Sequence, residues 1–268
     1  MGVLDGRVAL VTGAGRLRGI GRATAVALAE MGADVVVTGT GRDPATFPED
    51  EKKVGWRDVE STAEQIRAHG GRALTWVGDV SQAESVKRLV EVIMQTFGRL
   101  DVLVNNAAYP RGNDRVPLPE LDEAIWRKVL DVKLTGAFLL CKRIVPIMIQ
   151  QQWGRIINLS SVAGKRGVPD TTAYCTANFG MQGLTQALAM EVARHGITVN
   201  AVCPGTIDTA RMDVLGRGET WQRQLDSIPM GRAASDEEVA GLIAFLCSPA
   251  AAYMTGQSIN IDGGTVMW

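Results

Sequence analysis

The chain has 268 residues, carries 28 Lys plus Arg against 29 Asp plus Glu, and has a formal net charge of −1. Nucleic acid and anionic membranes recruit a strong basic excess, so this balance argues against both as partners. With 46% hydrophobic and 21% charged residues, disorder and collagen-like repeats are excluded and one large core is within reach.

In chain order, seven short β-branched runs read as strands: Val8 to Thr12, Asp34 to Thr38, Ala73 to Val77, Leu100 to Asn105, Arg155 to Leu159, Thr198 to Val202 and Ser258 to Ile261. Between them lie segments with apolar residues at three-to-four spacing, among them Ile20 to Met31, Val86 to Phe97, Glu123 to Gln151 and Ala173 to His195, which read as amphipathic helices. Strands joined by crossover helices pair in parallel through right-handed connections. The expected fold is therefore α/β: a doubly wound sheet of about seven parallel strands with helices on both faces. No repeat, low-complexity tract or Pro/Gly/Ser linker divides the sequence, so residues 1–268 are expected to form a single domain.

Two stretches break the alternation. Gly39 to Trp56 is a long polar connection after the second strand, expected to be a mobile insertion or a passive surface loop. Thr209 to Arg232, after the sixth strand, holds Met212, Leu215, Trp221 and Ile228 and is expected to be a substrate loop that closes over the carboxyl edge of the sheet. No apolar run approaches the roughly 18 residues of a membrane span. The first residues lack the layout of a signal peptide, so a cytoplasmic enzyme is expected. Cys141, Cys175, Cys203 and Cys247 lie far apart without CxxC spacing and read as reduced core thiols. With His69 and His195 as the two histidines, no metal site is expected.

The first strand runs through Thr12-Gly13-Ala14-Gly15-Arg16-Leu17-Arg18-Gly19-Ile20-Gly21 into a helix. Glycines there let the backbone approach a pyrophosphate, and the helix N-terminus offers free N–H groups, as at the first crossing of a Rossmann-type sheet. Other segments join this turn: Asp79-Val80 after the third strand, Asn105-Asn106-Ala107-Ala108 after the fourth, Ser161 thirteen residues before Tyr174, Pro204-Gly205 after the sixth strand, and Asp262-Gly263-Gly264. Together, over essentially the whole chain, they resemble the short-chain dehydrogenase/reductase family in its FabG-like ketoreductase branch. The resemblance implies that Gly13, Gly19, Ile20 and Gly21 cradle the pyrophosphate and that Asp79 and Val80 contact adenine. By the same likeness, Asn105 to Ala107 back the adenosine ribose and Pro204 and Gly205 belong to the cofactor site. A homotetramer is implied as well, its symmetry mates meeting along the helices at Glu123 to Gln151 and Ala173 to His195.

Departures from the family pattern are informative. The glycine turn is two residues longer, and Ala108 stands where the family has glycine. The second strand ends Val37-Thr38-Gly39-Thr40-Gly41-Arg42, without the carboxylate that would bind the ribose hydroxyls of NAD. Arg18 matches the basic residue of NADP-preferring relatives. A guanidinium fork suits a 2′-phosphate, so NADP is expected with Arg18 and Arg42 as ligands; NAD, served by Asp43, is the alternative.

Hydride transfer to a ketone needs a proton for the developing alkoxide. An unperturbed tyrosine titrates near about 10, and the family's Tyr-x-x-x-Lys pair places a cation one helical turn away. Here the run is Tyr174-Cys175-Thr176-Ala177-Asn178, and the lysine is missing. The family also carries an asparagine in the helix after the fourth strand, and its counterpart here is Lys133. The two residue types have exchanged places. The expected site is thus Tyr174 as general acid/base, Ser161 on the substrate oxygen, Lys133 supplying the positive charge and Asn178 the polar anchor, in an NAD(P)-dependent oxidoreductase acting on a small-molecule carbonyl or secondary alcohol. The competing expectation is a nucleotide-binding pseudoenzyme or assembly subunit without turnover.

Overall fold

The computed structural model describes residues 2–268. Strands β1 (Val8–Val11), β2 (Asp34–Gly39), β3 (Ala73–Val77), β4 (Val102–Asn105), β5 (Gly154–Leu159), β6 (Ile197–Pro204) and β7 (Ser258–Ile261) form one parallel sheet in the order β3-β2-β1-β4-β5-β6-β7. The third and seventh strands fall where the sequence places them. The sixth extends further, from Ile197 to Pro204, and every residue of it is buried.

Side chains alternate across each strand, and the two faces carry separate cores. Ala9, Val11, Val35, Val37, Val102 and Val104 face α1 (Ile20–Glu30), α3 (Val59–Ala68) and α9 (Asp236–Cys247). Val8, Leu10, Val36 and Leu103 face α4 (Ala83–Phe97), α6 (Gly136–Gln151) and α7 (Thr172–Val192). A sheet covered on both sides explains the unbroken apolar strands, because no face is left to water.

The helical pattern over Glu123 to Gln151 is interrupted. It divides into α5 (Glu123–Leu130), a π turn at Asp131–Thr135 and α6. A π turn accommodates one extra residue and shifts the facing of the helix beyond it, which a 3.6-residue pattern does not reveal. The stretch from Gly39 to Trp56 is also more ordered than a loose connection. It contains a 3-10 turn at Pro44–Thr46 and α2 (Glu49–Lys53), with Phe47, Trp56 and the Glu51 carboxylate all buried. The loop after β6 holds a 3-10 segment at Ala210–Leu215 and α8 (Glu219–Asp226), anchored by buried Trp221 and Ile228.

Asp101 ties the start of β4 to β1. Its carboxylate accepts from the Val8 N–H at 2.9 Å, Arg7 Nη1 at 2.8 Å and Arg99 Nε at 2.7 Å. Burial pushes this carboxyl up, but Arg99, the Val8 amide and Arg7 outweigh it and hold it below the usual range. Asp101→Asn is expected to cost about 2 kcal/mol. A depressed carboxyl contributes stability above its unfolded value near about 3.9 and loses it as the pH falls through the folded value. The gap in urea midpoint between parent and variant should therefore be full at pH 6 and narrow progressively in acid.

Candidate active site

The strand order reverses between β1 and β4, and their carboxyl ends open a crevice there. Thr12 and Asn106 fix its floor. Thr12 Oγ1 accepts from the backbone N–H groups of Asn106 and Ala107, both at 3.0 Å, while Asn106 Nδ2 donates to the carbonyls of Thr12 at 2.8 Å and Gly13 at 3.0 Å. A Cβ at Gly21 would lie 2.5 Å from the Gly13 carbonyl and 2.6 Å from Asn106 Nδ2, so glycine alone lets α1 start this close to the turn. At the start of α1, the N–H of Gly19 donates to Asp236 Oδ2 at 2.7 Å. Those of Ile20 and Gly21 belong to the first turn and have no intrahelical acceptor. They face an anion-ready helix terminus.

The remaining residues expected at the cofactor lie around this crevice. Asp79 accepts from Ser81 and from Lys128 Nζ at 2.9 Å; burial pushes its carboxyl up, but these partners hold it below the usual range. Val80 packs against Gly136 at the start of α6. Asn105 Nδ2 donates to Asn158 Oδ1 at 2.8 Å, and Asn105 Oδ1 is buried without a partner. Pro204 ends β6, and the Gly205 N–H donates to the Ile261 carbonyl at 3.0 Å. Free first-turn N–H groups, a glycine-lined approach and an orphaned buried acceptor fit a dinucleotide.

Arg18 and Arg42 lie at this end too, each already engaged. Arg18 Nε donates to Asp50 at 2.6 Å and its Nη2 to Asp213, linking the glycine turn to both the insertion and the loop after β6. Arg42 pairs with Glu51 at 2.8 Å and donates to the Gly15 carbonyl at 2.7 Å. Glu51 caps the Leu17 N–H at 3.0 Å, and Trp56 Nε1 also donates to the Gly15 carbonyl. Asp58 presses so close that a Cβ at Gly15 would fall 1.5 Å from its Oδ1. The insertion thus folds down on the lengthened glycine turn. Asp43 instead caps its own exposed turn through Ala45.

At the other end, α7 carries Tyr174 and Asn178. Ser161 precedes a 3-10 turn, Val162–Gly164, that packs on α7, and its Oγ accepts from the Ala163 N–H at 3.1 Å. Asn178 is fully buried. Its Nδ2 donates to the Tyr174 carbonyl at 2.8 Å, its own carbonyl accepts from Ser160 Oγ at 2.9 Å, and its Oδ1 has no partner. The π turn also packs on α7, and its Lys133 is buried, 7% exposed. Burial first, then the charge of Arg211, pushes the Lys133 ammonium down to about 7, with the Cys203 thiol acting in the opposite sense.

Three arginines not singled out from the sequence crowd the same place. The Arg115 guanidinium stacks 3.9 Å above the Tyr174 ring, and that of Arg211 lies 5.6 Å from it. Arg211 Nη1 donates to the Tyr109 carbonyl, and Arg111 Nη1 contacts Met212 Sδ at 3.9 Å. Arg111 and Arg115 closely follow Tyr109-Pro110, and Arg211 opens a loop notable in sequence for its apolar residues. Arginine in such loops was the available signal.

A family model described as enoyl-(acyl carrier protein) reductase matches residues 13–266. A Synechocystis 3-oxoacyl-[acyl-carrier-protein] reductase is 41% identical over 100% of both chains. A Sinorhizobium meliloti protein assigned as a short-chain alcohol dehydrogenase superposes with a TM-score of 0.85 at 38% identity, covering 98% of this chain and 97% of its own. A Burkholderia xenovorans protein assigned as a short-chain dehydrogenase/reductase gives a TM-score of 0.87 at 35% identity over 99% and 98%. The chain belongs to the short-chain dehydrogenase/reductase family. This short-chain dehydrogenase/reductase is an NAD(P)-dependent oxidoreductase that interconverts a carbonyl and an alcohol, and the pseudoenzyme reading finds no support among its relatives. Among the described residues no helix is long and apolar enough to cross a membrane.

A lysine held below its unfolded value destabilises the ligand-free fold most where the unfolded chain is fully protonated and the site resists the charge. That penalty is complete below pH 7 and fades as the pH rises from about 7 toward about 10.4. Lys133→Met is expected to raise the melting temperature at pH 6, and its advantage over the parent should shrink steadily by pH 9 to 10.

Proposed function

We propose that the protein is an NADP-dependent ketoreductase in which Tyr174 is the general acid/base, Ser161 orients the substrate oxygen, and Lys133 and Asn178 have exchanged the positions of the family's lysine and asparagine. One observation carries this reading: Lys133 lies buried in the π turn between α5 and α6, in line with buried Val129 and Ala137, and that turn packs against α7, the helix of Tyr174 and Asn178. Bound nicotinamide would supply or take up the hydride. In reduction, Tyr174 gives its hydroxyl proton to the carbonyl oxygen as negative charge develops there, and in oxidation it takes the proton back. Ser161, set at the mouth of its turn, donates to the same oxygen. Positive charge on Lys133, Arg115 and Arg211 stabilises the charge that develops between phenol and substrate. Asn178, whose buried Oδ1 lacks a partner, would serve as the polar anchor for a ribose hydroxyl or a water.

The Synechocystis relative's name describes an acyl thioester on a carrier protein; the proposed chemistry requires only a carbonyl. A homotetramer is proposed as well, supported by Phe138 on α6 and by Phe179 and Met190 on α7, large apolar side chains left exposed along the two long helices. At the adenosine end, Arg18 is proposed to exchange Asp50 and Asp213 for a 2′-phosphate. It is a third exposed, and ion pairs of that kind are weak.

Two experiments test the reading. Lys133→Ala, and equally Lys133→Asn, should cut turnover by about 10²-fold, as expected when acid/base catalysis is impaired. Asn178→Lys alone should crowd two ammonium groups, while the double change Lys133→Asn with Asn178→Lys should recover much of the activity as a strongly coupled pair. Parental turnover in Lys133→Ala overturns the exchange. Titration should also show NADPH binding more tightly than NADH, with Arg18→Ala losing most of that preference, about 1 to 3 kcal/mol; equal affinities in the parent overturn the NADP assignment.

A further inference from the structure

The loops after β4 and β6 converge on Tyr174, and each brings cations that lack counterions. Arg111 and Arg115 come from the first loop and Arg211 from the second, and the Lys133 ammonium is near enough to Arg211 for the two charges to repel. One carboxylate answers them. Asp114 is buried, faces Arg115 Nε at 3.3 Å, and accepts from the Gly112 N–H at 3.1 Å through its other oxygen. Among the described residues, neither Arg111 nor Arg211 forms an ion pair with a carboxylate. Arg211 has only the Tyr109 carbonyl, and Arg111 a thioether, a poor acceptor.

Elsewhere Arg7 pairs with Asp101, Arg22 with Asp236 and Arg42 with Glu51, while buried Arg155 is held by the Gly154 and Gly196 carbonyls and the Trp153 ring without a carboxylate. What sets the cluster at Tyr174 apart is that Arg111, Arg211 and Lys133 go without a paired carboxylate side by side. Burial first, then the charges of Arg115 and Arg211, lower the Arg111 guanidinium; burial, with a smaller contribution from Arg115 and against the opposing pull of Tyr174, lowers that of Arg211, and an anion bound there would offset both.

We propose that Arg211, with Arg111 and Arg115, forms an anion clamp beside Tyr174, and that the substrate is a small oxo or hydroxy acid whose free carboxylate lies one or two carbons from the reacting carbonyl. The proposal rests on the reading of Tyr174 as proton donor. Two members of the clamp adjoin the phenol ring: the Arg115 guanidinium lies 3.9 Å and that of Arg211 5.6 Å from its centre. A charge held there must sit close to the carbon that takes the hydride. A planar carboxylate matches the guanidinium fork with two parallel hydrogen bonds. A thioester carries no charge at that position and would leave Arg111, Arg211 and Lys133 uncompensated. An anion at Arg211 also relieves the repulsion that Arg211 exerts on Lys133.

The test compares matched substrates on the full-length enzyme with NADPH: 3-oxobutanoate and 2-oxobutanoate, their methyl esters, acetoacetyl-CoA as thioester, and dihydroxyacetone phosphate as the phosphate-bearing ketone. One of the free acids should exceed its ester in kcat/KM on the order of 100-fold, the range of a charge-assisted hydrogen bond. In Arg211→Met that ratio should fall to near one, and Arg211→Lys should lie between. A second readout does not need turnover: in Tyr174→Phe the free acid should still raise the melting temperature, and Arg211→Met or Arg111→Gln should abolish that rise. Ester or thioester reduced as well as the acid, with a ratio unmoved in Arg211→Met, overturns the clamp while leaving the ketoreductase reading intact. Preference for the phosphate-bearing ketone likewise overturns the carboxylate assignment. Arg211-dependent binding of the acid without turnover of any carbonyl supports the clamp and instead overturns the role given to Tyr174.

Discussion

Strand β1 pairs in parallel with β2 on one side and β4 on the other, and from that centre the order runs outward in both directions. Each crossover must therefore cover one face or the other, and the loops leaving β1 and β4 diverge instead of closing over the sheet. Everything chemical in the molecule is arranged along that gap. The hydrogen bonds from Asn106 and to Thr12 Oγ1 hold its two sides at fixed separation. The start of α1 can face the gap because Gly21 has no side chain to hold it away.

Charge is treated differently at the two ends. Where the adenosine is expected, Arg18, Arg22 and Arg42 are each matched by carboxylates, several contributed by the insertion and by the loop after β6. Around Tyr174, the single buried carboxylate of Asp114 faces Arg115, and Arg111, Arg211 and Lys133 have none of their own. A half-buried cation without a counterion is costly, and an anionic ligand at Tyr174 would offset that cost. Arg18 joins the two ends mechanically: its contacts to Asp50 and Asp213 make the insertion and the substrate loop neighbours of one glycine turn.

Burial of Lys133 follows the inward row of its helix. Val129, Lys133 and Ala137 are all buried, α5 and the π turn at Asp131–Thr135 both pack against α7, and the π turn takes up one extra residue before α6. Gly180 on α7 meets Leu134 of this turn, and a Cβ there would approach Leu134 Cδ2 to 2.7 Å. Close packing of the two segments thus holds a long, charged side chain on the inward face, in line with buried Val129 and Ala137.

Local periodicity sufficed for the architecture. Strands such as Ala73–Val77 and Ser258–Ile261, the parallel crossovers and the glycine turn are written in short-range patterns of apolar residues and turn formers. The Tyr174 and Asn178 spacing and the lysine at position 133 were equally visible as sequence. What sequence could not determine was which polar groups meet. The insertion reads as polar from Arg42, Asp43 and Glu49 to Lys53, yet Phe47, Trp56 and Glu51 fold it onto Gly15 and Leu17. Arg111, Arg115 and Arg211 come from two loops about a hundred positions apart, and their convergence on the Tyr174 ring depends on β4 and β6 flanking β5 in the same sheet. Hydrophobic periodicity is a property of neighbours in the chain; pairing of charges is a property of neighbours in space, and only the tertiary fold decides those.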